Sequence, residues 1–200
     1  MEPSTYQKIL IAAKKVFFQK GYHGTRTRDI AAEAQVNLAM LNYHFKSKEQ
    51  LFELIMMEAL NSFVTIIKDI LNDPDTDFET KLTSIITEYI NKFSKEPQLP
   101  PFVIAQLSKS PDHLFKVLRQ SNSFAESVFL QQYQQGVANG MYRPVNMVHL
   151  LMNIGGLVVF PFLISPALKV MAAIPDEAMN AIMEERKILI FNWIKQMIIK

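Results

Sequence analysis

Residues 25–48 read TRTRDIAAEAQVNLAMLNYHFKSK. The apolar and small residues recur as in a short helix, a tight turn and a second short helix ending in aromatics, followed by the capped start of another helix. The first helix begins near Thr25 or Thr27, whose oxygens suit an unpaired amide, and Asp29 sits well against the helix dipole. Ile30, Ala31 and Ala34 form its small apolar face. Gln35, Val36 and Asn37 make the turn, with Asn37 capping the next helix. In residues 38–45, Leu38, Leu41 and Phe45 share one face and are expected to pack inward. Ala39, Met40, Asn42, Tyr43 and His44 are left facing outward. Ser47 and Gln50 then read as a capping box.

Two short helices joined by a three-residue turn make a helix-turn-helix, in which the second helix enters the DNA major groove. The outward residues suit that task. Ala39 permits close approach, Met40 can touch a thymine methyl, and Asn42 can form two hydrogen bonds with adenine. Tyr43 and His44 can donate to phosphates, and Lys48 stands at a helix N-terminus that already favours an anion. Arg28 can reach a guanine or a phosphate, and Thr25 and Thr27 can donate to the backbone.

Upstream, residues 6–20 have helical periodicity through Ile9, Ala12, Ala13, Val16 and Phe17, and Gly21 fits the position just past a helix end. Downstream, a fourth helix covers 47–71. Thr76 to Glu79 reads as a second capping box, opening a helix through Leu82, Ile85, Ile86, Tyr89, Ile90 and Phe93. Pro97, Pro100 and Pro101 end it. A short helix over 102–108 follows, then a long helical stretch from Ser110-Pro111 to Asn139, interrupted near residues 121–123. The last two helices are 147–160 and 176–199, the latter with Met179, Ile182, Leu189, Trp193 and Met197 on one side. The whole reads as all-α, with about nine helices. Residues 1–46 form a three-helix N-terminal domain and 47–200 a C-terminal helical bundle, joined by the helix from 47.

Composition narrows the function. Of 200 residues, 49% are hydrophobic and 20% charged, which gives a large core. The net charge of +2 is uneven: residues 1–50 hold eight Lys or Arg against four acids, and the rest hold 13 against 15. A basic head beside a slightly acidic body suits a polyanion partner. Cysteine is absent, which fits a cytoplasmic location and removes thiolate zinc sites and Cys nucleophiles. The opening MEPSTYQ does not read as a signal peptide. The four histidines, 23, 44, 113 and 149, have no ligand spacing, so no metal is expected. No nucleophile-base-orienter set and no Gly-rich phosphate loop emerges, so neither an enzyme nor a cofactor is expected. Residues 147–168 lack charged side chains and approach the length of a membrane span. His149, Asn153, Gly155, Gly156, Pro161, Ser165 and Pro166 argue instead for a buried interface helix interrupted near Pro161.

The N-terminal stretch closely resembles the DNA-binding domain of TetR-family transcriptional regulators over about residues 6–56. The matching pieces are Ile9, Leu10, Ala12, Ala13, Val16, Phe17, Gly21 and Tyr22, then Thr25, Arg28, Asp29, Ile30 and Ala31, then Ala34, Val36 and Asn37, and finally Leu41 and Tyr43 to Glu49 with Leu51. The resemblance implies an all-α homodimer whose divergent C-terminal domain binds a small-molecule inducer. It implies base or phosphate roles for Arg28, Ala39, Met40, Asn42, Tyr43, His44 and Lys48. Asn37 stands for the more usual serine cap, and Asn42 for a frequent tyrosine, so base preference does not carry over there.

The expected function is therefore a sequence-specific repressor on a palindromic double-stranded operator, released by an apolar effector. Its dimer would form through 147–160 and 176–199. Phe102, Gln106, Phe115, Phe124, Phe129, Tyr133, Met152 and Asn153 are the candidate lining of the effector pocket. The competing reading is a non-enzymatic helical protein that binds lipids or other hydrophobes, with no sequence-specific DNA binding.

Overall fold

The computed structural model describes residues 3–109 and 124–199. Among them the chain forms nine α-helices, one 3-10 turn and a single isolated β-bridge between Tyr142 and Ile199.

Helix α1 (Thr5–Gly24) starts one residue before the periodicity predicts. The reason is a capping box: Ser4 Oγ accepts from the Gln7 amide, and Gln7 Oε1 accepts from the Ser4 amide. The regular helix breaks at Gly21, whose φ of +69° is strained for any residue with a Cβ. A Cβ there would also stand 3.3 Å from the Gln98 side chain, so the head touches the body at this point.

Helix α2 (Thr27–Glu33) is capped differently from expectation. Arg26 is the N-cap residue, and Asp29 Oδ2 accepts from its amide at 3.3 Å. Lys20 also donates to Asp29, at 3.2 Å. These donors, the Arg26 amide first, hold the Asp29 carboxyl below its ordinary pKa. The turn includes Gln35 at φ +55°. Asn37 then caps α3 (Leu38–His44), accepting from the Met40 amide at 2.8 Å. Leu41 and Phe45 enter the core with Ile9, Ala13, Phe17 and Ile30, but Leu38 is 44% exposed. A side chain in the first helical turn leans back over its own cap, so Leu38 misses the core that Leu41 reaches.

Helix α4 (Lys48–Asn72) joins head to body and packs on both α1 and α5 (Phe78–Lys95). Ser47 Oγ accepts from the Gln50 amide at 3.1 Å. For α5 the cap is Asp77, accepting from Thr80 at 2.7 Å, rather than Thr76. Thr76 instead donates its hydroxyl to Asp73 and accepts from the buried Lys81. Helix α6 (Leu99–Lys109) begins earlier than expected, with Pro100 and Pro101 in its first turn. Proline suits that turn because those amides have no intrahelical partner. Residues 110–123, expected to begin a long helix, lie outside the described residues. A 3-10 turn (Phe124–Glu126) leads into α7 (Val128–Ala138), capped by Ser127.

Helix α8 (Met147–Met171) corrects the predicted interruption, running through Pro161 and Pro166 for 25 residues. Each proline lacks an amide and leaves the carbonyl four residues earlier without its helical donor. Both acceptors find side chains. Arg186 Nη2 donates to Leu157 O at 2.7 Å, and Ser165 Oγ donates to Phe162 O at 3.2 Å. This helix is long and apolar enough to cross a membrane. Here it packs on α5, α6 and α9 (Asp176–Ile198) through Leu150, Ile154 and Val158. The inward stripe of α9 is Met179, Met183, Ile190, Ile194 and Ile198, rotated from the stripe predicted; Ile182 and Trp193 face out.

Candidate nucleic-acid interface

Helix α3 stands on the head with one side seated against α2 and the other open. Leu41 is its buried anchor, and Phe45 follows at its C-terminal cap. Ala39, Met40 and Asn42 are exposed, and Tyr43 is 85% exposed. An aromatic ring of that exposure has no packing reason to be there. His44 is half-buried, edge-on to both Tyr43 and Tyr6, while Tyr6 stacks on Phe45 at 5.1 Å. That brace orients the end of α3. Arg28 and Lys46 are exposed and make no ion pair among the described residues. Thr27 is half-buried at the first position of α2. The Asn37 side-chain oxygen is occupied by its cap.

Two expected phosphate donors are committed elsewhere. Thr25 is 1% exposed, and its hydroxyl donates to Gly21 O at 2.7 Å. It ties the α1 break instead of facing DNA. Lys48 donates to Tyr22 O at 2.9 Å and Thr25 O at 3.0 Å, with its ammonium 4.2 Å from the centre of the Tyr22 ring. The carbonyls at the end of α1 attract it, and the ring face adds a cation–π contact. Lys48 therefore pins α4 to the α1–α2 junction. Lys46, an exposed cation next to the end of α3 with no ion pair among the described residues, is absent from the sequence-based candidates.

The body holds a cavity of about 690 Å³ between α4, α5, α6, α8 and the 3-10 turn. Phe124 and Met152 border it. The remaining candidates are placed otherwise. Phe102 packs edge-on to Phe52 at 5.9 Å. Phe129 stacks on Phe78 at 4.6 Å and touches only a small neighbouring cavity. The Tyr133 hydroxyl donates to Arg143 O and accepts from the Val145 amide, fixing the loop before α8. Asn153 donates to Met197 Sδ on α9. The Gln106 side chain and Phe115 lie outside the described residues. Among the described residues, the polar groups that do line the cavity, Lys68, Asn72 and Tyr89, stand on α4 and α5.

An exposed recognition-type helix on a small basic head, backed by a helical body, defines a helix-turn-helix transcriptional regulator. The family model "Bacterial regulatory proteins, tetR family" matches residues 9–55. "Probable HTH-type transcriptional regulator YttP" of Bacillus subtilis is 24% identical over 164 residues, 82% of this chain and 79% of that one. The HTH-type transcriptional repressor KstR2 of Mycolicibacterium smegmatis is 28% identical, over 70% of this chain and 69% of its own. A TetR/AcrR-family regulator from Thermobifida fusca has the same fold, with a TM-score of 0.64 at 18% identity, covering 94% of this chain and 96% of that one. Residues 9–55 thus carry the DNA-binding domain of the tetR family of bacterial regulatory proteins, and the relatives that span most of the chain are named as transcriptional regulators.

Proposed function

We propose that the chain is a cytoplasmic, homodimeric repressor whose residues 1–46 bind a palindromic operator and whose residues 47–200 bind a small apolar effector that releases it. The exposed face of α3 carries this reading: Ala39, Met40, Asn42 and Tyr43 have no packing role, and the helix is braced so that they point outward. Arg28, Met40 and Asn42 are assigned to base edges, with Ala39 allowing the approach. Thr27, Tyr43, His44 and Lys46 are assigned to phosphates. Asn37, Thr25 and Lys48 act by holding the unit in shape.

Dimerisation is assigned to α8 and α9. Ile182 and Trp193 lie three turns apart on one side of α9, both exposed, and Val148 is exposed on α8 away from the cavity lining. Exposed apolar surface of this kind marks an association face. Two copies joined there would present their α3 helices to half-sites about one helical turn (~34–36 Å) apart. An effector in the body acts by favouring a conformation in which those helices no longer match the operator. Selection of bound fragments from random DNA, followed by mobility shift, tests the core of this reading. A palindromic consensus bound at nanomolar protein is the expected result; recovery of unrelated sequences overturns it.

A further inference from the structure

The proposed function leaves the occupant of the body cavity unnamed, and its lining is specific enough to name a class. Among the described residues that border it, all but Lys68, Asn72 and Tyr89 are apolar or glycine. Its volume falls within the ~300–1,000 Å³ of sites for small organic ligands.

The polar groups are not scattered. Lys68 and Asn72 are one turn apart at the C-terminal end of α4, so they share a face. Lys68 is half-buried and its ammonium has no partner among the described residues. No acid among the described residues lies within 4.0 Å of it. Asp69 is the adjacent residue and faces elsewhere. The Asp73 carboxylate accepts from the Asp75 amide and the Thr76 hydroxyl, which hold it ionised. Asn72 uses one amide N–H on Lys68 O and retains a second. A cation and an amide donor thus stand together at one end of an apolar chamber.

The far side is opened by Gly155 and Gly156 of α8. A Cβ at either position would meet nothing within 4 Å, so neither glycine serves a close approach of helices within one protomer. A mid-helix glycine is less favourable than alanine. In this pair that cost leaves empty volume along the cavity wall.

We infer that the cavity binds a single-chain aliphatic carboxylate, its head on Lys68 and Asn72 and its tail along Gly155 and Gly156 among Phe63, Val103, Met152 and Val159. This rests on the reading of the cavity as the effector site. An alkylammonium would be repelled by Lys68. A neutral chain would cover an ammonium without compensating it.

Calorimetric titration of the delipidated full-length protein with palmitate and with hexadecanol tests the assignment. Wild type should bind palmitate about tenfold or more tightly than hexadecanol, as a charged hydrogen-bonded pair implies. Lys68→Met should bind the two equally, and Gly155→Leu, which favours the helix while filling the chamber, should bind neither well. Absence of palmitate binding to wild type, or equal palmitate affinity in wild type and Lys68→Met, overturns the assignment. Mobility shift separates this from the effector reading. Palmitate binding with the operator complex intact supports the carboxylate site and overturns its effector role. Operator release by another apolar compound, with no palmitate bound, overturns the carboxylate and supports an effector.

Discussion

The Arg186 guanidinium lies 2.7 Å from the carbonyl oxygen of Leu157, the acceptor that Pro161 leaves without a helical donor. Arg186 is also 5.5 Å from the centre of the Trp193 ring. One side chain of α9 therefore completes the backbone of α8. Loss of Arg186 leaves a partly buried carbonyl unpaired, a cost of about 1–3 kcal/mol. Arg186→Met should lower stability by that order in urea unfolding. In a Pro161→Ala background, where the amide returns, the loss should shrink by at least half in a double-mutant cycle.

Lys46 and Lys48 are two residues apart and are assigned opposite tasks. Lys46→Ala should weaken operator binding across sequences and reduce the slope of log affinity against log salt by about one. Lys48→Ala should leave that slope nearly unchanged and lower the melting temperature of the protein, because its ammonium sits on Tyr22 O and Thr25 O. A salt slope altered by Lys48→Ala alone would reverse the two roles.

Asn42→Ala should relax base preference at one position of each half-site, by about 1–3 kcal/mol of discrimination. Affinity for non-specific DNA should stay the same. Selection repeated with the variant reads this directly, and an unaltered consensus would remove Asn42 from base reading.

Ile182→Asp places a charge on the outer side of α9 without entering the core or the cavity. Sedimentation should show a shift from dimer to monomer at micromolar protein, and operator affinity should fall in parallel. Helical content should be unchanged, since the residue is exposed.

Asp29, Asp73 and Asp77 are each held below the ordinary carboxylate pKa, chiefly by backbone amides for the first two and by Thr80 for the third. A carboxyl depressed on folding contributes stability that is complete above its unfolded pKa and disappears as pH falls through the folded one. Stability should therefore drop as pH falls below the usual Asp range. Asp77→Asn keeps an acceptor for the Thr80 amide and removes the titration, so its stability curve against pH should be flatter there. An equally steep acid limb would assign the proton uptake elsewhere.

The head was legible in the sequence because each of its helices is short and punctuated locally. Ser47, Asn37, Gly21 and the spacing of Ile30, Leu41 and Phe45 all act within a few residues of where they stand. What was misread depends on distant partners. Nothing near Pro161 announces that Arg186 will supply the missing donor, so a break was the natural expectation. Lys48 at a helix start suggests an anion, yet Tyr22 and Thr25, more than twenty residues earlier, claim it. The cavity followed the same rule. Phe124 and Met152 are among the Phe and Met residues read as candidate lining, whereas Lys68 and Asn72 are not, because only the packing of α8 opposite α4 brings them to the cavity.

Gly21 meets Gln98 where the head rests on the α5–α6 junction. The two parts are therefore not freely interchangeable modules. A chimera that grafts this head onto another body inherits a backbone break shaped for one particular side chain. Exchange of operator specificity between relatives would have to carry position 98 along with position 21, or confine itself to α3.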